Sequence, residues 1–364
     1  MEEWTLYRLG DVINVLDYMR VPLSKKQREF RKGNYPYYGA QGIIDYVDSF
    51  LFDGEYLLIA EDGENLKSKK QNIAQIARGR YWVNNHAHIV ESNGRCDIRY
   101  ICYLLNQIDL SGYITGSAQP KLNQANLLAI ELRLPCLEVQ KRVSDFLATF
   151  DDKIELNNRI NHNLEEQADG IVSSLLNVGS TVLRLSDICK YVSQKIDCQS
   201  LTLDNYISTE NMVPSRGGVT KSSNVPTGTA IEYSSGDILV SNIRPYFQKI
   251  WKATYSGGCS NDVLCFRSST NTPSFLYHLL RQNSFFDHVM AGAKGSKMPR
   301  GDKAQIMNWT FVLSEDWEAM ESKLSIIDKK VALLRAQNLM LIELRDSVLP
   351  RLMSGELKIN DLTC

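Results

Sequence analysis

The fold is determined by a long helical segment near the middle of the chain. Residues 137–167 read LEVQKRVSDFLATFDDKIELNNRINHNLEEQ, and seam positions recur after alternating steps of four and three residues. Such a heptad seam predicts a helix that packs along its length against another helix. The seam positions are Val143, Leu147, Phe150, Ile154, Asn157, Asn161, Leu164, Ala168, Ile171 and Leu175.

A second seam lies near the carboxyl terminus, shifted by 177 residues from the first. A buried asparagine in a heptad seam usually fixes the register of the pair. Because the shift aligns Asn161 with Asn338, we expect these two side chains to face each other. The second set of positions is Met320, Leu324, Ile327, Val331, Leu334, Asn338, Leu341, Arg345, Val348 and Leu352.

The ends of both helices carry recognisable signals. Ser314 favours the start of the second helix, and Gly179 and Gly355 favour the two helix ends. Pro350 lies in the last turn of the second helix and is expected to end or bend it there. Each helix of about 35 residues would be about 50 Å long, at about 1.5 Å per residue.

The segments that precede the two helices are related to each other. Five motifs recur in the same order, about 180 residues apart, which indicates an internal duplication. The pairs are YRLGDV (7–12) with LRLSDI (183–188), GEYLLIAEDG (54–63) with GDILVSNIRP (236–245), NNHAHIV (84–90) with CSNDVLCF (259–266), IRYICYLLNQ (98–107) with PSFLYHLLRQ (273–282), and GSAQPKLN (116–123) with GSKMPRGD (295–302).

Each half combines short strands and turns with a helical segment and a final apolar strand. The sequence therefore predicts an α/β (α+β) fold with globular domains at 1–137 and 179–314. Spacer helices are predicted at 138–178 and, with the tail, at 315–364. The simplest arrangement of such a duplication is pseudo-twofold, with the two long helices paired antiparallel as a coiled coil.

Composition excludes several classes of protein. The chain has 364 residues, 43% hydrophobic and 23% charged, and no apolar run long enough to cross a bilayer. Its start, MEEWTLYRLGDV, is acidic and amphipathic, which does not fit a signal peptide. Eight cysteines occur without a CxxC pair, so neither a disulfide framework nor a structural zinc site is predicted. We expect a cytoplasmic protein with scattered, buried thiols.

Positive charge is concentrated locally although the net charge is −1. Residues 178–314 carry 14 Lys and Arg against 9 Asp and Glu, whereas 138–177 carry 4 against 8. Basic surface patches attract nucleic-acid phosphates, although solvated loops explain any single cluster equally well. The clusters are Arg20, Lys25, Lys26, Arg28, Arg31 and Lys32; Lys67, Lys69 and Lys70; and Lys294, Lys297, Arg300 and Lys303.

Several segments resemble the DNA-specificity subunits of type I restriction–modification systems. The resemblance rests on YPYYGAQGIIDYV (35–47), YWVNNHAHIV (81–90), GSAQPKLNQANL (116–127), both helix segments and the duplication itself, and it is weak through 196–235. It implies two target recognition domains that each recognise one half of a split, asymmetric site in double-stranded DNA. It also implies that the helices hold these domains apart.

The resemblance assigns the chemistry to partner proteins. It implies that the helices dock two modification subunits, which methylate adenine with S-adenosylmethionine. Two motor-nuclease subunits, which use ATP and Mg, join them in systems that cleave. This chain would then hold no cofactor.

The residues themselves agree that catalytic motifs are missing. The sequence has no Asp/Asn-Pro-Pro-aromatic segment, no glycine-rich methyl-donor turn and no GxxxxGK[ST] loop. His86 and His88 alternate as on a strand, which would point both to one face, but two ligands without a third do not predict a metal site. We expect a chain with neither a catalytic residue nor a metal, in which the histidines form hydrogen bonds.

We predict that loops contact DNA, because phosphate contacts fix position while forked donors and acceptors recognise bases. The loop glycines, Pro120 and Pro299 are expected to shape the loops rather than touch DNA, and Asn84 is equally a turn former. The candidates are Lys25, Lys26, Arg31, Lys32, Tyr38, Gln41, Asn85, His86, Gln119 and Lys121 in the first domain, and Arg244, Tyr246, Gln248, Asn261, Lys294, Lys297 and Arg300 in the second.

Three other functions remain open at this point. The chain could serve a related system that is not type I, in which one partner fuses methylation and cleavage; genome neighbours would separate the two. It could be a methyltransferase or nuclease in its own right, which would act without partners. It could also be a scaffold that binds only protein, which a salt-dependent interaction with duplex DNA would exclude.

Overall fold

The computed structural model describes residues 4–69, 71–116 and 119–359. The chain divides into two units, Met1–Ile154 with Met340–Cys364 and Glu155–Leu339. Each unit contains a globular domain together with parts of both long helices. The predicted α+β fold, with two domains and coiled-coil helices, is confirmed, whereas the exact domain boundaries stay a prediction.

The first unit is built on a mixed sheet with the strand order β2-β7-β5-β6-β3-β4, in which only β3 and β6 are parallel neighbours. A separate antiparallel pair joins β1 to β8. The strands are β1 (Thr5–Arg8), β2 (Ile13–Val15), β3 (Lys32–Gly39), β4 (Gly42–Val47), β5 (Phe52–Ala60), β6 (Ala74–Val83), β7 (Ala87–Ser92) and β8 (Glu131–Leu134). The helices are α1 (Lys25–Phe30), α2 (Asn65–Ser68), α3 (Ile98–Gln107) and α4 (Gln124–Leu128).

Both faces of this sheet are covered. Successive side chains of a strand point to opposite faces, so Leu57 and Ile59 of β5 join one core cluster and Leu58 joins another. The first of these clusters includes α3, whose start is capped by the Asp97 carboxylate accepting a hydrogen bond from the amide of Tyr100. Residues of both long helices complete this core; they are Val143, Leu147, Leu349 and Leu352.

The second unit contains two four-stranded sheets, ordered β10-β17-β14-β15 and β11-β13-β16-β12, and an antiparallel pair of β9 with β18. The strands are β9 (Leu176–Arg184), β10 (Cys189–Tyr191), β11 (Lys195–Asp197), β12 (Tyr206–Ile207), β13 (Thr229–Tyr233), β14 (Ile238–Ser241), β15 (Ile250–Lys252), β16 (Gly257–Cys259), β17 (Val263–Ser268) and β18 (Thr310–Leu313). The helices are α6 (Leu185–Ile188), α7 (Pro273–Leu280), α8 (Asn283–Ala291) and α9 (Lys303–Met307).

The two long helices are α5 (Leu137–Leu175) and α10 (Glu321–Met353). None of the twenty predicted seam side chains is exposed, so both heptad seams are confirmed. The second helix begins later than predicted, because a 3-10 turn at Trp317–Met320 precedes it and buries Trp317 in the second core. Pro350 does not end α10, which continues to Met353.

The pairing of seam asparagines differs from the prediction. Asn157 Nδ2 donates to Asn338 Oδ1 at 2.8 Å, and Asn338 Nδ2 donates to Asn158 Oδ1 at 2.8 Å. Asn161 Oδ1 is buried and finds no hydrogen-bond partner in the described part of the chain. The expected contact between Asn161 and Asn338 is therefore wrong.

The reason is the antiparallel packing of the two helices. Because Asn157 faces Asn338, one turn forward along α5 corresponds to one turn backward along α10. Asn161 is therefore expected opposite Leu334, which offers no hydrogen bond.

Candidate nucleic-acid interface

Each unit contains a short closed loop at the position predicted to contact DNA. Thr115 and Lys121 exchange two backbone hydrogen bonds of 2.8 Å, and Lys294 and Arg300 exchange two of 2.9 Å. The loop motifs share little more than a glycine, a serine and a proline, yet their backbones close in the same way. Gln119 lies within the first loop and Lys297 within the second.

The same three backbone hydrogen bonds attach each loop to the end of a strand and the turn beside it, with lengths of 2.8–3.4 Å. The repeated pattern shows that the duplication predicted from the motifs extends to the atomic detail of the loops. In the first unit the bonds run from Gly63 N to Pro120 O, from Leu122 N to Glu61 O and from Glu61 N to His86 O; in the second they run from Arg244 N to Pro299 O, from Gly301 N to Asn242 O and from Asn242 N to Asp262 O.

The loop glycines are needed for the backbone conformation. Gly116 has φ +82° and Gly295 has φ +99°, a left-handed region that favours glycine. A Cβ at Gly116 would lie 2.2 Å from Gln119 O. These glycines therefore shape the loops.

Lys121 contacts a group of charged side chains that we call the Glu61 network: Asp17, Arg20, Glu61, His88 and Lys121. Lys121 Nζ and Arg20 contact the Glu61 carboxylate at 3.2 and 2.8 Å. Arg20 also contacts Asp17 at 3.1 Å, and Asp17 Oδ2 is 2.6 Å from His88 Nδ1. Burial raises the pKa of the Asp17 and Glu61 carboxyls. Hydrogen bonds and positive charges around them, from His88 and Arg20 among others, together outweigh the effect of burial. Both pKa values therefore lie below their usual range.

Three members of this network have the residue types of a metal site. Ligand atoms of Asp17, Glu61 and His88 lie within 4.8 Å of one another. However, His88 is buried, and its second ring nitrogen is 2.8 Å from Leu122 O, so both nitrogens already have hydrogen-bond partners. Arg20 also neutralises the two carboxylates. The arrangement therefore fits an ion-pair network and does not fit a metal site.

His86 and His88 lie in different environments. His86 precedes β7 in a turn, is half-exposed, and its Nδ1 is 2.7 Å from Asp62 Oδ2. The turn is formed by Asn84, whose side-chain oxygen accepts a hydrogen bond from the His86 amide at 2.8 Å. Asn84 thus acts as a turn former, and Asn85 in the same turn is exposed.

In the second unit Arg300 replaces Lys121 and has a different acidic partner. Arg300 contacts Asp262 at 3.2 Å, and Lys294 contacts Asp302 at 3.0 Å. Asn261 accepts a hydrogen bond from Lys195 at 2.8 Å. Lys195, on β11, could not be identified from the sequence, because it lies 66 residues before Asn261 and no motif connects the two residues.

A comparison with protein families shows what the first domain resembles. The model of the type I restriction modification DNA specificity domain matches residues 1–166. The amino-terminal part of the chain is therefore similar to the DNA specificity domain of type I restriction–modification systems. Within the first domain, the loop that carries Lys121 lies inside the matched region.

Relatives of this chain match different shares of its length. A Haemophilus influenzae protein described as a type I restriction enzyme specificity subunit is 34% identical over 139 residues, which is 38% of this chain and 35% of that relative. The MjaVIII specificity subunit of Methanocaldococcus jannaschii is 20% identical over 99% of this chain and 94% of its own. The chain thus spans about a third of the first relative.

One solved structure shares the fold over nearly the whole chain. It is the S subunit of a type I restriction–modification system from M. genitalium, with a TM-score of 0.56, 13% sequence identity and 96% of each chain covered. Among the described residues, no helix combines the length and apolar character needed to span a membrane.

The positive charge of the amino-terminal basic cluster is partly neutralised by carboxylates. Arg31 contacts Asp48 at 2.9 Å and Lys32 contacts Asp45 at 2.6 Å. The Lys32 hydrogen bond lowers the pKa of Asp45 to about 2. Asp45 and Asp48 could not be identified as partners from the sequence, because the pairing of β3 with β4 brings them beside the basic cluster.

The remaining first-domain candidates divide into two groups. Lys25 and Lys26 are exposed on α1, and no carboxylate partner for either is seen among the described residues. Gln41 lies near the loop, since its Nε2 would be 3.9 Å from a Cβ at Gly63. Tyr38 is half-buried and packs edge-on against Tyr81, so it supports the sheet. Lys70, Ser117 and Ala118 lie outside the described residues.

Proposed function

We propose that this chain is the DNA-recognition subunit of a type I restriction–modification complex, in which each domain recognises one half of a bipartite, asymmetric DNA site. The observation that carries the proposal is the recurrence of the loop attachment in both units, with a half-exposed cation, Lys121 or Arg300, at the same place. Ion pairs at this exposure contribute little stability, about 0–1 kcal/mol, so phosphates or bases can compete for these cations.

The side chains around the two loops support an asymmetric site. Equivalent backbone positions carry Glu61, Asp62 and His86 in the first unit, and Asn242, Ile243 and Asp262 in the second. These sets differ in charge and in the hydrogen-bond donors and acceptors that they offer. Because base edges are distinguished by donor and acceptor pattern, the two half-sites would differ in sequence.

We place the catalytic chemistry in partner subunits, within the cytoplasm where the genome lies. Two modification subunits would transfer the methyl group of S-adenosylmethionine to adenine, and motor-nuclease subunits, where present, would use ATP and Mg. The chain itself would contribute recognition only. In support, the carboxylates of Asp17 and Glu61 and both ring nitrogens of His88 are already engaged in internal ion pairs and hydrogen bonds.

The exposed faces of the long helices are the proposed docking surfaces for the modification subunits. The helix α10 exposes Ile326, Leu333, Leu339, Met340 and Leu344, whereas α5 exposes one large apolar side chain, Leu156. Leu156 and Leu333 are copies of each other, so they would form the common contact of two modification subunits. The other exposed apolar residues of α10 correspond to polar residues of α5 after the shift of 177 residues. The two docking surfaces would therefore bind their modification subunits with different affinity.

Methylation mapping tests the proposed function. Genomic DNA from cells with the chain should contain adenine methylation at one bipartite, asymmetric motif, and deletion of the gene should abolish it. The purified chain should transfer no methyl group without its partners. A motif that persists after deletion, or methyl transfer by the chain alone, would contradict the proposal.

A further inference from the structure

One turn of the second domain is held in an unfavourable backbone conformation. Six non-glycine residues of the described chain have left-handed φ values, and four of them meet at this turn. Such conformations persist only where surrounding contacts enforce them, and they cluster at functional sites. The four residues are Ser215 (φ 55°), Arg216 (φ 62°), Arg244 (φ 49°) and Gln248 (φ 50°).

Backbone hydrogen bonds fix this turn on both sides. Ser215 N donates to Phe247 O at 2.8 Å, and Arg216 N donates to Gln248 O at 3.0 Å. On the other side, Arg244 N donates to Pro299 O at 2.8 Å. The turn Pro245–Phe247 is therefore rigid and lies directly beside the loop that carries Arg300.

The rigid turn presents aromatic surface to solvent. Tyr246 is 51% exposed and Phe247 is 38% exposed, and their ring centroids are 4.7 Å apart. Met298, in the adjacent loop, is also exposed. A fold would ordinarily bury such side chains, so a strained and well-ordered turn that exposes them indicates a binding role.

The charges around the aromatic pair indicate what it binds. Lys249 Nζ lies 5.9 Å from the centre of the Phe247 ring, and burial lowers the pKa of this ammonium group. Arg300 and Lys297 lie in the adjacent loop, and Lys297 has no acidic partner within the described residues. Aromatic side chains beside cations can stack on bases while the cations bind phosphates, so this surface fits a nucleic acid better than an apolar protein surface.

We propose that Tyr246 and Phe247 form a wedge that enters the DNA duplex beside the half-site of the second domain and unstacks one base step. The proposal rests on the proposed function, since it assumes that the loop with Arg300 contacts the DNA. Side chains that insert between base steps replace the lost base stacking with their own contacts, and the adjacent cations hold the phosphates of the bent strand.

The first domain has no equivalent wedge. The repeated hydrogen bonds align Gly63 with Arg244, which makes Asn65 and Leu66 the counterparts of Tyr246 and Phe247. Both counterparts are buried. The wedge would therefore distort only the half-site of the second domain.

Fluorescence of 2-aminopurine tests the wedge. The full chain, in complex with its modification partners, is mixed with a duplex that carries the motif from methylation mapping, with 2-aminopurine placed at successive positions. Arg300→Ala identifies the half-site of the second domain. We expect a fluorescence rise at one step beside that half-site, and its loss in the double variant Tyr246→Ala/Phe247→Ala. A signal from the target adenine, extruded by the methyltransferase, should persist in this variant.

Binding affinity gives a second readout. Loss of the stacking contact should weaken binding by the double variant roughly tenfold. Phe247→Leu, which keeps an apolar wedge, should retain most of the affinity and the fluorescence rise. Leu203→Ala removes a partly exposed apolar side chain elsewhere in the same unit and should change neither.

The outcomes separate the wedge from the proposed function. Sequence-specific binding with unchanged affinity and fluorescence in the double variant would overturn the wedge alone. So would loss of a modification subunit from the complex without a change in fluorescence, since the aromatic pair would then bind protein. Absence of sequence-specific binding by the unmodified complex would instead overturn the proposed function. Tyr246→Ala alone, at the more exposed position, serves if the double variant does not fold.

Discussion

In the first unit, one polar side chain of the globular domain is linked to both long helices through Asp151. Tyr103 on α3 donates a short hydrogen bond to Asp151 on α5, and Arg345 on α10 contacts the same carboxylate at 2.5 Å. Burial and the Asp151 hydrogen bond raise the pKa of Tyr103. The hydroxyl therefore keeps its proton at any ordinary pH.

The second unit makes the corresponding contact with a histidine. His278 on α7 is fully buried, with Asp169 of α5 at 2.7 Å and Asp328 of α10 at 2.9 Å. Burial lowers the pKa of His278, but hydrogen bonds to Asp169 and Asp328 outweigh it and raise this pKa above its usual value. Arg281 contacts Asp169 and Lys252 contacts Asp328, so the carboxylates remain paired.

The two contacts occupy the same positions of the duplication. The motif repeat aligns Tyr103 with His278, and the helix repeat aligns Asp151 with Asp328. The place where each domain meets its helices has been kept, while the chemistry of the contact has changed. Of these two contacts, the one in the second domain is made by a histidine, whose pKa lies above its usual value.

Removal of the histidine should have the largest effect. His278→Ala removes one partner each from the half-buried carboxylates of Asp169 and Asp328. The free energy of opening of α7 should fall by about 3 kcal/mol. Hydrogen exchange measures this, because the amides of α3 in the same molecule serve as the internal control. Equal loss of protection in both helices, or no loss in α7, would contradict the account.

Removal of the tyrosine hydroxyl should have a smaller effect. Tyr103→Phe keeps the ring packing and removes one hydrogen bond to a charged acceptor, while Arg345 still pairs with Asp151. We expect α3 to lose about 1.5 kcal/mol of stability in hydrogen exchange, with α7 unchanged. Tyr18→Phe, at an exposed position, is the matched control and should change nothing.

The pH dependence should separate the two contacts. Because the pKa of His278 is raised in the folded chain, its stabilising contribution is complete below about pH 6.5, the usual value, and is lost as the pH rises through the raised pKa. The opening constant of α7 should increase over this range, by at most about tenfold per pH unit. Protection of α3, corrected for intrinsic exchange, should show no such change. His278→Gln should abolish the dependence in α7.

The seam asparagines should show the smallest effects, with opposite signs. Asn161→Leu removes a buried acceptor that has no partner and should stabilise the helix pair by about 1 kcal/mol. Asn338→Leu removes the hydrogen bonds to Asn157 and Asn158, which leaves Asn157 with Gln337 as its acceptor, and should destabilise the pair by a similar amount. Urea unfolding of both variants decides the matter; a stabilising Asn338→Leu would mean that the asparagine pair contributes nothing to the register.

The heptad seams and the duplication could be predicted because they depend on local periodicity. Every seam position is at least half-buried, as the spacing of residues such as Val143 and Leu324 indicated. The partner of Asn338 could not be predicted, since the register of the two helices depends on how they pack. The later start of α10 likewise follows from the burial of Trp317.

The candidate site was predictable only in part. The loop cations Lys121 and Arg300 were identified because their motifs repeat. Their acidic partners Glu61 and Asp262 come from strand ends that meet the loops only in the folded sheet. The strained turn was also invisible, because Arg244 is not a glycine and its left-handed backbone depends on tertiary hydrogen bonds.

Methylation mapping of two single variants tests the central claim most directly. Lys121→Ala and Arg300→Ala should each cost about 1–3 kcal/mol at one half of the motif and leave the other half unchanged, because each domain recognises its own half-site. The account predicts relaxed or lost recognition at opposite halves for the two variants. An equal loss at both halves in each variant would contradict it.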